Sequence, residues 1–227
     1  MSEINIINGD AVVELSKIPN ETFDMAVIDP PYRLNKTTGG ISKTGLSDKW
    51  MGNLKGSDRK VGIINEIKFS EWLPEVYRVL KNNSHCYIWT NDKNLSDLQV
   101  EAEKVGFRLH NILVWKKQNC TPNRWYMKNC EFILFLYKGK AKPIKFKGDS
   151  QLFEVKNIAG KDKKHPTEKP VEILESLILN SSNEDDIILD CFMGSGSTGV
   201  ACLNTRRNFF GIEIDKKYFD IAKERLK

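Results

Sequence analysis

The sequence predicts an α/β protein with a single doubly wound, mostly parallel β-sheet and an antiparallel hairpin at one edge. Apolar runs of strand length alternate with stretches of helical periodicity, which is typical of a parallel sheet covered by helices. Residues 186–190 are an apolar strand that leads into a glycine-rich turn, a helix and a second strand. Residues 110–115 and 132–137 are strands joined by a polar segment without helical periodicity, which predicts a hairpin.

The elements of the N-terminal half follow from the spacing of their apolar residues. Residues 4–7 form a short strand, and Asp10 is suited to cap the helix that follows because its carboxylate can accept from free helix N–H groups. Residues 23–28 become continuously apolar, as buried parallel strands do. Residues 33–68 show little periodicity, and so long a segment in a compact domain is usually functional or mobile. This half is completed by a helix from Ser70, a strand at 85–89 and a helix at 95–105.

The C-terminal part repeats a strand–helix pattern. A helix at 168–179 precedes the strand at 186–190, and a further helix begins near Val200. The second strand, residues 209–212, ends in Glu213, and a last helix starts at Lys216.

The most informative motif is Asp29-Pro30-Pro31-Tyr32, which directly follows the strand at 23–28. It therefore lies at the carboxyl end of a strand, where open α/β sheets hold ligands. The two prolines stiffen the turn, and the Pro30 carbonyl has no adjacent amide to pair with. A carboxylate, a carbonyl and a phenol ring are thus held at one edge of the sheet. This set suits a planar group that bears an NH2, although an ordinary proline turn would explain the motif alone.

The glycine-rich turn at 191–199 is the second motif. Glycines let a backbone turn sharply and approach a ligand closely. Glu213 ends the next strand, and an acidic residue there hydrogen-bonds a ribose in nucleotide-binding folds. The turn alone could be a plain tight turn, but with Glu213 it indicates a cofactor that carries a ribose.

The two motifs resemble those of the DNA amino-methyltransferases, which transfer a methyl group from S-adenosylmethionine to an exocyclic base nitrogen. The catalytic motif precedes the cofactor motif, as in the group called beta, and residues 165–170, His-Pro-Thr-Glu-Lys-Pro, match a segment that precedes the cofactor strand in that group. The resemblance implies S-adenosylmethionine as cofactor and double-stranded DNA as partner. It implies catalytic roles for Asp29, Pro30, Pro31 and Tyr32, and cofactor binding by Asp10, Asp29, His165, Lys169, Phe192, Gly194, Gly196, Ser197, Thr198 and Glu213.

The order of the motifs predicts a circularly permuted class I methyltransferase fold, which is Rossmann-like. Methyltransferases of this fold usually begin with the cofactor strand, which here lies near residue 190. The N-terminal strand at 4–7 would then be the third strand, so that Asp10 falls where the family has an acidic residue near the adenine of the cofactor. A helix cap and a cofactor contact both remain open for Asp10.

The chemistry implied by the resemblance is site-specific methylation of adenine N6. The amine lone pair is delocalised into the ring, and hydrogen bonds from the amine to Asp29 and the Pro30 carbonyl would localise it for attack on the sulfonium methyl. Tyr32 would stack on a base flipped out of the duplex. Aspartate rather than serine at position 29 favours adenine in this family, and N4-cytosine methylation is the alternative.

Two readings from other classes are weaker. Gly194, Gly196 and Gly199 also satisfy the spacing of a nicotinamide-dependent dehydrogenase, but that reading leaves residues 29–32 unexplained. A non-catalytic DNA-binding protein would not need every catalytic residue to be present. Neither alternative accounts for both motifs.

One domain is expected, because 227 residues, of which 40% are hydrophobic, can bury one substantial core. We divide residues 1–227 into a catalytic half at 1–137, a basic insert at 138–164 that is a possible target-recognition region, and a cofactor-binding half at 165–227. The net charge is +5, and residues 138–169 alone hold ten lysines and four acidic residues. Beside a DNA-modifying motif this indicates phosphate contacts, for which the candidates are Lys116, Lys117, Arg124, Lys142, Lys145 and Lys147.

The remaining expectations concern partners and compartment. No membrane span, secretory signal or metal-binding spacing is visible, so a cytoplasmic protein that acts on DNA, as in restriction-modification, is expected without a metal. A homodimer is also predicted, because few residues remain for reading a duplex and one small core would have to bury five tryptophans: Trp50, Trp72, Trp89, Trp115 and Trp125.

Overall fold

The computed structural model describes residues 2–31, 67–121, 125–156 and 168–227, with the side chains of residues 119–121 left aside. The chain divides into two compact units, Met1–Pro30 with Phe69–Lys227, and Pro31–Lys68. The second unit lies almost wholly outside the described residues, and the described helices and strands belong to the first. The single-domain division into 1–137, 138–164 and 165–227 stays a prediction.

Helices and strands alternate along the first unit. The strands are β1 (Ile4–Asn8), β2 (Phe23–Ile28), β3 (Leu80–Thr90), β4 (Arg108–Thr121), β5 (Lys128–Tyr137), β6 (Leu152–Phe153), β7 (Ile187–Asp190) and β8 (Asn208–Glu213). The helices are α1 (Ala11–Ser16), α2 (Phe69–Val79), α3 (Leu95–Lys104), α4 (Val171–Ser181), α5 (Ser197–Thr205) and α6 (Lys216–Arg225).

The described strands form one sheet of eight in the order β1-β8-β7-β2-β3-β5-β4-β6. The five strands from β1 to β3 in this order are parallel, and β5 is antiparallel to both of its neighbours. The strand at the start of the cofactor motif, β7, lies between β8 and β2, and the N-terminal strand lies next to β8. This order confirms the predicted α/β fold and its permutation.

Helices cover both faces of the sheet. Met25 and Val27 of β2 pack in one cluster with residues of α4, α5 and α6. Ala26 and Ile28, which alternate with them, are buried outside that cluster and therefore face the opposite side. There, α2 packs against both α1 and α3. The sheet is thus doubly wound, as the alternation in the sequence predicts.

The predicted hairpin is formed by β4 and β5, but it does not end the sheet. β6, which comes from the predicted basic insert, pairs with β4 in parallel at Val114 and Trp115. The Val114 amide donates to the Gln151 carbonyl at 2.8 Å, and the Trp115 indole N–H donates to the Val155 carbonyl at 2.9 Å. Part of the insert is therefore bound along the sheet edge, because an edge strand presents unpaired backbone groups.

Two element boundaries differ from the sequence expectations in ways that matter for the site. β3 begins at Leu80 rather than at 85. α4 begins at Val171 rather than at Glu168, because a proline at position 170 disfavours helical backbone in the residue before it. Glu168 and Lys169 consequently precede the helix, and both are buried.

Candidate active site

Asp29 and Pro30 lie where the sequence predicts, at the carboxyl end of β2. β2 is buried along almost its whole length and is flanked by β7 and β3, so the Asp29 carboxylate sits at the centre of the carboxyl edge. Pro30 is buried. Tyr32, the last residue of the motif, lies outside the described residues.

The Asp29 carboxylate is bound by a buried ammonium. Lys169 Nζ lies 2.6 Å from Asp29 Oδ2 and 3.4 Å from Glu131 Oε2. The same ammonium lies 5.2 Å from the centre of the Trp89 ring, close enough for a cation–π contact. Lys117, on the neighbouring strand, forms an ion pair with the other oxygen of Glu131. The two carboxylates and two ammonium groups therefore form a series of ion pairs of alternating charge, in the order Asp29, Lys169, Glu131 and Lys117.

Burial and pairing act in opposite directions on these groups. Burial raises the pKa of Asp29, and the Lys169 ammonium opposes only part of that rise. Burial also disfavours charge on Lys169, but Asp29 and Glu131 outweigh it and raise the pKa of this lysine. Burial acts to raise the pKa of Glu131, but Lys169 and Lys117 together lower it. The cluster therefore keeps Lys169 and Glu131 charged, while Asp29 is the group nearest to taking up a proton.

The glycine-rich turn has the backbone that the motif predicts. Gly194 has φ of +53° and Gly196 of +82°, in the left-handed region that favours glycine. A side chain at Gly194 would meet nothing within 4 Å, whereas one at Gly196 would lie 3.1 Å from Ala222 of α6. Gly194 therefore borders open space, and Gly196 lets the turn lie closely against α6.

Glu213 lies directly across from this turn. The Gly194 amide donates to Glu213 Oε2 at 2.9 Å, and the Asp215 amide donates to Oε1 at 2.8 Å. Burial raises the pKa of this carboxyl group. The turn and the end of β8 are thus joined by the residue that the sequence assigns to a ribose.

Asp10 lies at the carboxyl end of the adjacent strand. Residue Asn8 pairs with Glu213 in the register of β1 and β8, and the Gly9 amide donates to the Glu213 carbonyl at 3.0 Å. Asp10 Oδ1 accepts from Val12 and Val13, so Asp10 does cap α1. Its role in cofactor binding stays a prediction.

Two other residues that were predicted to bind the cofactor, Thr198 and Phe192, stabilise the glycine-rich turn by hydrogen bonds to Asp190. Thr198 donates its hydroxyl to Asp190 Oδ2 at 2.6 Å, and the Phe192 amide donates to Asp190 Oδ1 at 3.1 Å. Burial raises the pKa of Asp190 to about 7. The Phe192 ring packs edge-on against Trp72, with 5.4 Å between ring centres. His165 lies outside the described residues.

The comparisons with known proteins decide the family. A model of the DNA methylase family matches residues 23–224. The chain belongs to this family. It is 33% identical to the type II methyltransferase M2.DpnII of Streptococcus pneumoniae, over 97% of this chain and 88% of that protein. It is 30% identical to the DNA adenine methyltransferase YhdJ of Escherichia coli K12, over 97% and 82% respectively.

A solved structure agrees with the fold. The complex of M1.HpyAVI with SAM is similar, with a TM-score of 0.70 and 29% identity over 98% of this chain and all of that one. The resemblance stated from the two motifs is thereby confirmed, and so is the assignment as a DNA methyltransferase.

Sequence reasoning missed two residues of this DNA methylase that support its site. Arg225 of α6 donates to the Ser195 carbonyl at 2.9 Å and forms an ion pair with Glu168 at 2.8 Å. It therefore connects the glycine-rich turn to the segment that precedes α4. Glu131 lies in β5, which the sequence assigns to the hairpin rather than to the site. A charged residue directly before the apolar run 132–137 is the only signal in the sequence for Glu131, and none marks Arg225.

The lysines predicted to contact DNA differ in their surroundings. Lys116 is exposed and forms an ion pair with Glu154, while Lys117 belongs to the Asp29 cluster. Lys142 and Lys147 are exposed, and Lys145 is exposed but donates to the Ser182 carbonyl at 2.5 Å. Arg124 lies outside the described residues. Lys138, also in the predicted basic insert, is buried and donates to the carbonyls of Tyr77 and Leu80, so it is structural.

None of the described helices is long and apolar enough to cross a membrane. Across residues 2–31, 67–121, 125–156 and 168–227, no group of His, Cys, Asp or Glu side chains is arranged to hold a metal ion.

Proposed function

We propose that this DNA methylase transfers a methyl group from S-adenosylmethionine to N6 of adenine in double-stranded DNA, at a base flipped out of the helix. One observation carries the proposal: a paired carboxylate, Asp29, stands at the carboxyl end of β2, next to the strand β7 that leads into the glycine-rich turn. The relative YhdJ is a DNA adenine methyltransferase, which supports adenine as the base.

The residues present fit S-adenosylmethionine. Gly194 borders open space in the left-handed conformation that favours glycine, and Glu213 presents a partly exposed carboxylate beside it. Glu213 would accept from the ribose hydroxyls. Asp10, two residues beyond Asn8, which is the strand partner of Glu213, would contact the adenine of the cofactor. When bound, the cofactor supplies an electrophilic methyl group on a sulfonium.

The protein's own contribution is orientation and fixed dipoles. The Asp29 carboxylate and the Pro30 carbonyl accept hydrogen bonds from the target amine and favour a nitrogen with a localised lone pair. That lone pair would form the new N–C bond as the bond between the methyl group and sulfur breaks, with the electron pair of that bond left on sulfur. Asp29 would then take up the proton that the cationic nitrogen loses and pass it to water. No covalent intermediate with the enzyme is needed.

Product analysis tests the proposal directly. The protein is expressed in cells that lack other DNA methyltransferases, and the nucleosides of their DNA are analysed by mass spectrometry. N6-methyladenine is expected, and the Asp29→Ala variant should give far less of it. Detection of N4-methylcytosine would instead identify cytosine as the target base. Unmodified DNA would contradict both adenine and cytosine methylation.

The β4–β5 hairpin is the surface that we propose for DNA contact. β5 extends four residues past Thr90, its last partner in β3, or about 14 Å beyond the carboxyl edge that holds Asp29. Its tip exposes Trp125, Tyr126 and Met127, whereas Trp115 at its base is buried. Aromatic side chains among basic residues suit stacking on bases and contact with phosphates.

Salt dependence measures the phosphate contacts. We expect the affinity for DNA to fall steeply with salt, and a variant with Lys116, Lys142 and Lys147 changed to glutamine to show a flatter slope, by about one unit for each lost contact. Lys216→Gln, in an exposed ion pair on α6, is the matched control with an unchanged slope. A triple variant with the wild-type slope would mean that these lysines do not touch DNA.

The homodimer also stays a proposal, with less support than the sequence offered. Trp72, Trp89 and Trp115 are buried in the core of one chain, Trp125 is exposed, and Trp50 lies outside the described residues. We expect light scattering at micromolar concentration to give twice the chain mass, and a mass of 26.0 kDa would contradict the dimer. The cytoplasmic compartment remains a prediction.

A further inference from the structure

The charge cluster behind Asp29 combines three separate parts of the chain. Asp29 follows β2, Glu131 lies in β5, and Lys169 precedes α4. The Lys169 side chain is only 6% exposed, and that of Glu131 only 17%. Pro170 has an extended backbone, and α4 begins only after it. The Lys169 side chain therefore reaches the carboxyl edge of the sheet instead of lying on the helix surface.

Stability does not explain this arrangement well. Removing two or more charges from water costs several kcal/mol per ion, and replacing a buried ion pair with apolar residues is often neutral or stabilising. Lys169 is in addition held against the Trp89 ring, which fixes its position between the two carboxylates. A buried charge cluster in direct contact with the proposed catalytic carboxylate points to a role in the reaction.

We propose that Lys169 and Glu131 are positioning residues for methyl transfer, an inference that rests on the proposed function. Lys169 holds Oδ2 of Asp29 at 2.6 Å, which leaves Oδ1 to accept from the target amine. Glu131 balances the Lys169 ammonium, so that the negative charge of Asp29 is kept where the amine nitrogen becomes positive. The assignment differs from cofactor binding, which the resemblance implied for Lys169.

Glu131 also links the site to the proposed DNA surface. It pairs with Trp115 in the register of β4 and β5, and its second oxygen binds Lys117, at the base of the hairpin. If DNA binding shifts the hairpin, the Glu131 carboxylate, which faces Lys169, would therefore move with it.

The pH dependence of transfer distinguishes this role from a structural one. Asp29 must be ionised to accept from the amine, so transfer is lost as the pH falls through its pKa. Lys169 and Lys117 act to lower that pKa, and Glu131 raises it. Lys169→Met therefore moves the acidic limb of the profile to higher pH, and Glu131→Gln moves it to lower pH. Asp190, whose charge interacts with Asp29, is retained in both variants.

The experiment measures single-turnover transfer of labelled methyl groups from S-adenosylmethionine to unmethylated genomic DNA, between pH 5 and 9. Lys169→Met should lose about 10- to 100-fold in rate at neutral pH, since a hydrogen bond to a charged group is removed. The matched control is Lys81→Met. Lys81 lies 2.6 Å from Asp24 at the opposite edge of β2 and β3, so this variant loses an ion pair of equal length outside the site.

The outcomes separate the two proposals. Opposite shifts of the acidic limb, with cofactor affinity and the Lys81→Met profile unchanged, would support the positioning role. Limbs that stay in place or move in the same direction, in variants of an active enzyme, would overturn it. If Lys169→Met does not fold, the downward shift in Glu131→Gln decides alone. A wild-type protein without activity on DNA would instead refute the proposed function.

Discussion

Asp29→Ala is expected to lower the rate of methyl transfer by about 10²–10³-fold, which is the usual effect of removing one preorganised hydrogen-bonding group at a reacting centre. The variant loses the acceptor that binds the target amine, while Pro30 and the glycine-rich turn keep their positions. Lys169 retains its contact with Glu131, so no buried ammonium is left without a carboxylate. Single-turnover transfer with saturating cofactor and DNA gives the rate.

Three comparisons make this result specific. Asp29→Asn keeps the shape of the side chain and removes its charge, so an equal loss in both variants assigns the effect to the carboxylate. Asp220→Asn removes an acidic partner of Lys216 on the surface of α6 and should keep the wild-type rate. Cofactor affinity measured by calorimetry should change little in Asp29→Ala. A variant that still transfers methyl groups at more than a tenth of the wild-type rate would remove Asp29 from the chemistry.

The fold could be predicted because its signals are local. The strand at 23–28 and the motif after it define one point of the carboxyl edge, and the strand, turn and acidic residue at 186–213 define another. Parallel strands place all their carboxyl ends on one edge, so motifs that are 160 residues apart in the sequence meet there without any contact having to be guessed. The permuted strand order then follows from which motif comes first.

The charge cluster could not be predicted, because its geometry depends on tertiary pairing. Glu131 reaches Lys169 only because β5 enters the sheet beside β3, next to β2, while the hairpin alone would equally fit at the edge. The motif at residues 165–170 indicates that Lys169 belongs to the site, but it does not reveal which atom the Lys169 ammonium contacts. The basic insert stays a prediction, and for a related reason its lysine count says little about each side chain: it does not reveal that Lys138 donates to two backbone carbonyls or that Lys145 donates to the Ser182 carbonyl.

Glu213→Ala is the prediction with the second largest effect. In the structure both oxygens of this carboxylate accept from backbone amides, one from the turn and one from the start of α6. Each oxygen has a second lone pair, so the ribose hydroxyls can be bound without breaking these bonds. The substitution removes the acceptor of the ribose and also frees the Gly194 amide, which lets the turn relax.

We expect cofactor affinity in Glu213→Ala to fall by about 10- to 100-fold, because hydrogen bonds to a charged group contribute about 1.5–3 kcal/mol. Isothermal titration with S-adenosylmethionine gives the value without any DNA. The control is Asp215→Ala, two residues away, which removes the cap of α6 and should cost about 1 kcal/mol of stability with cofactor affinity unchanged. If both variants bind the cofactor as tightly as the wild-type protein does, Glu213 only joins the turn to the end of β8, and the ribose is held elsewhere.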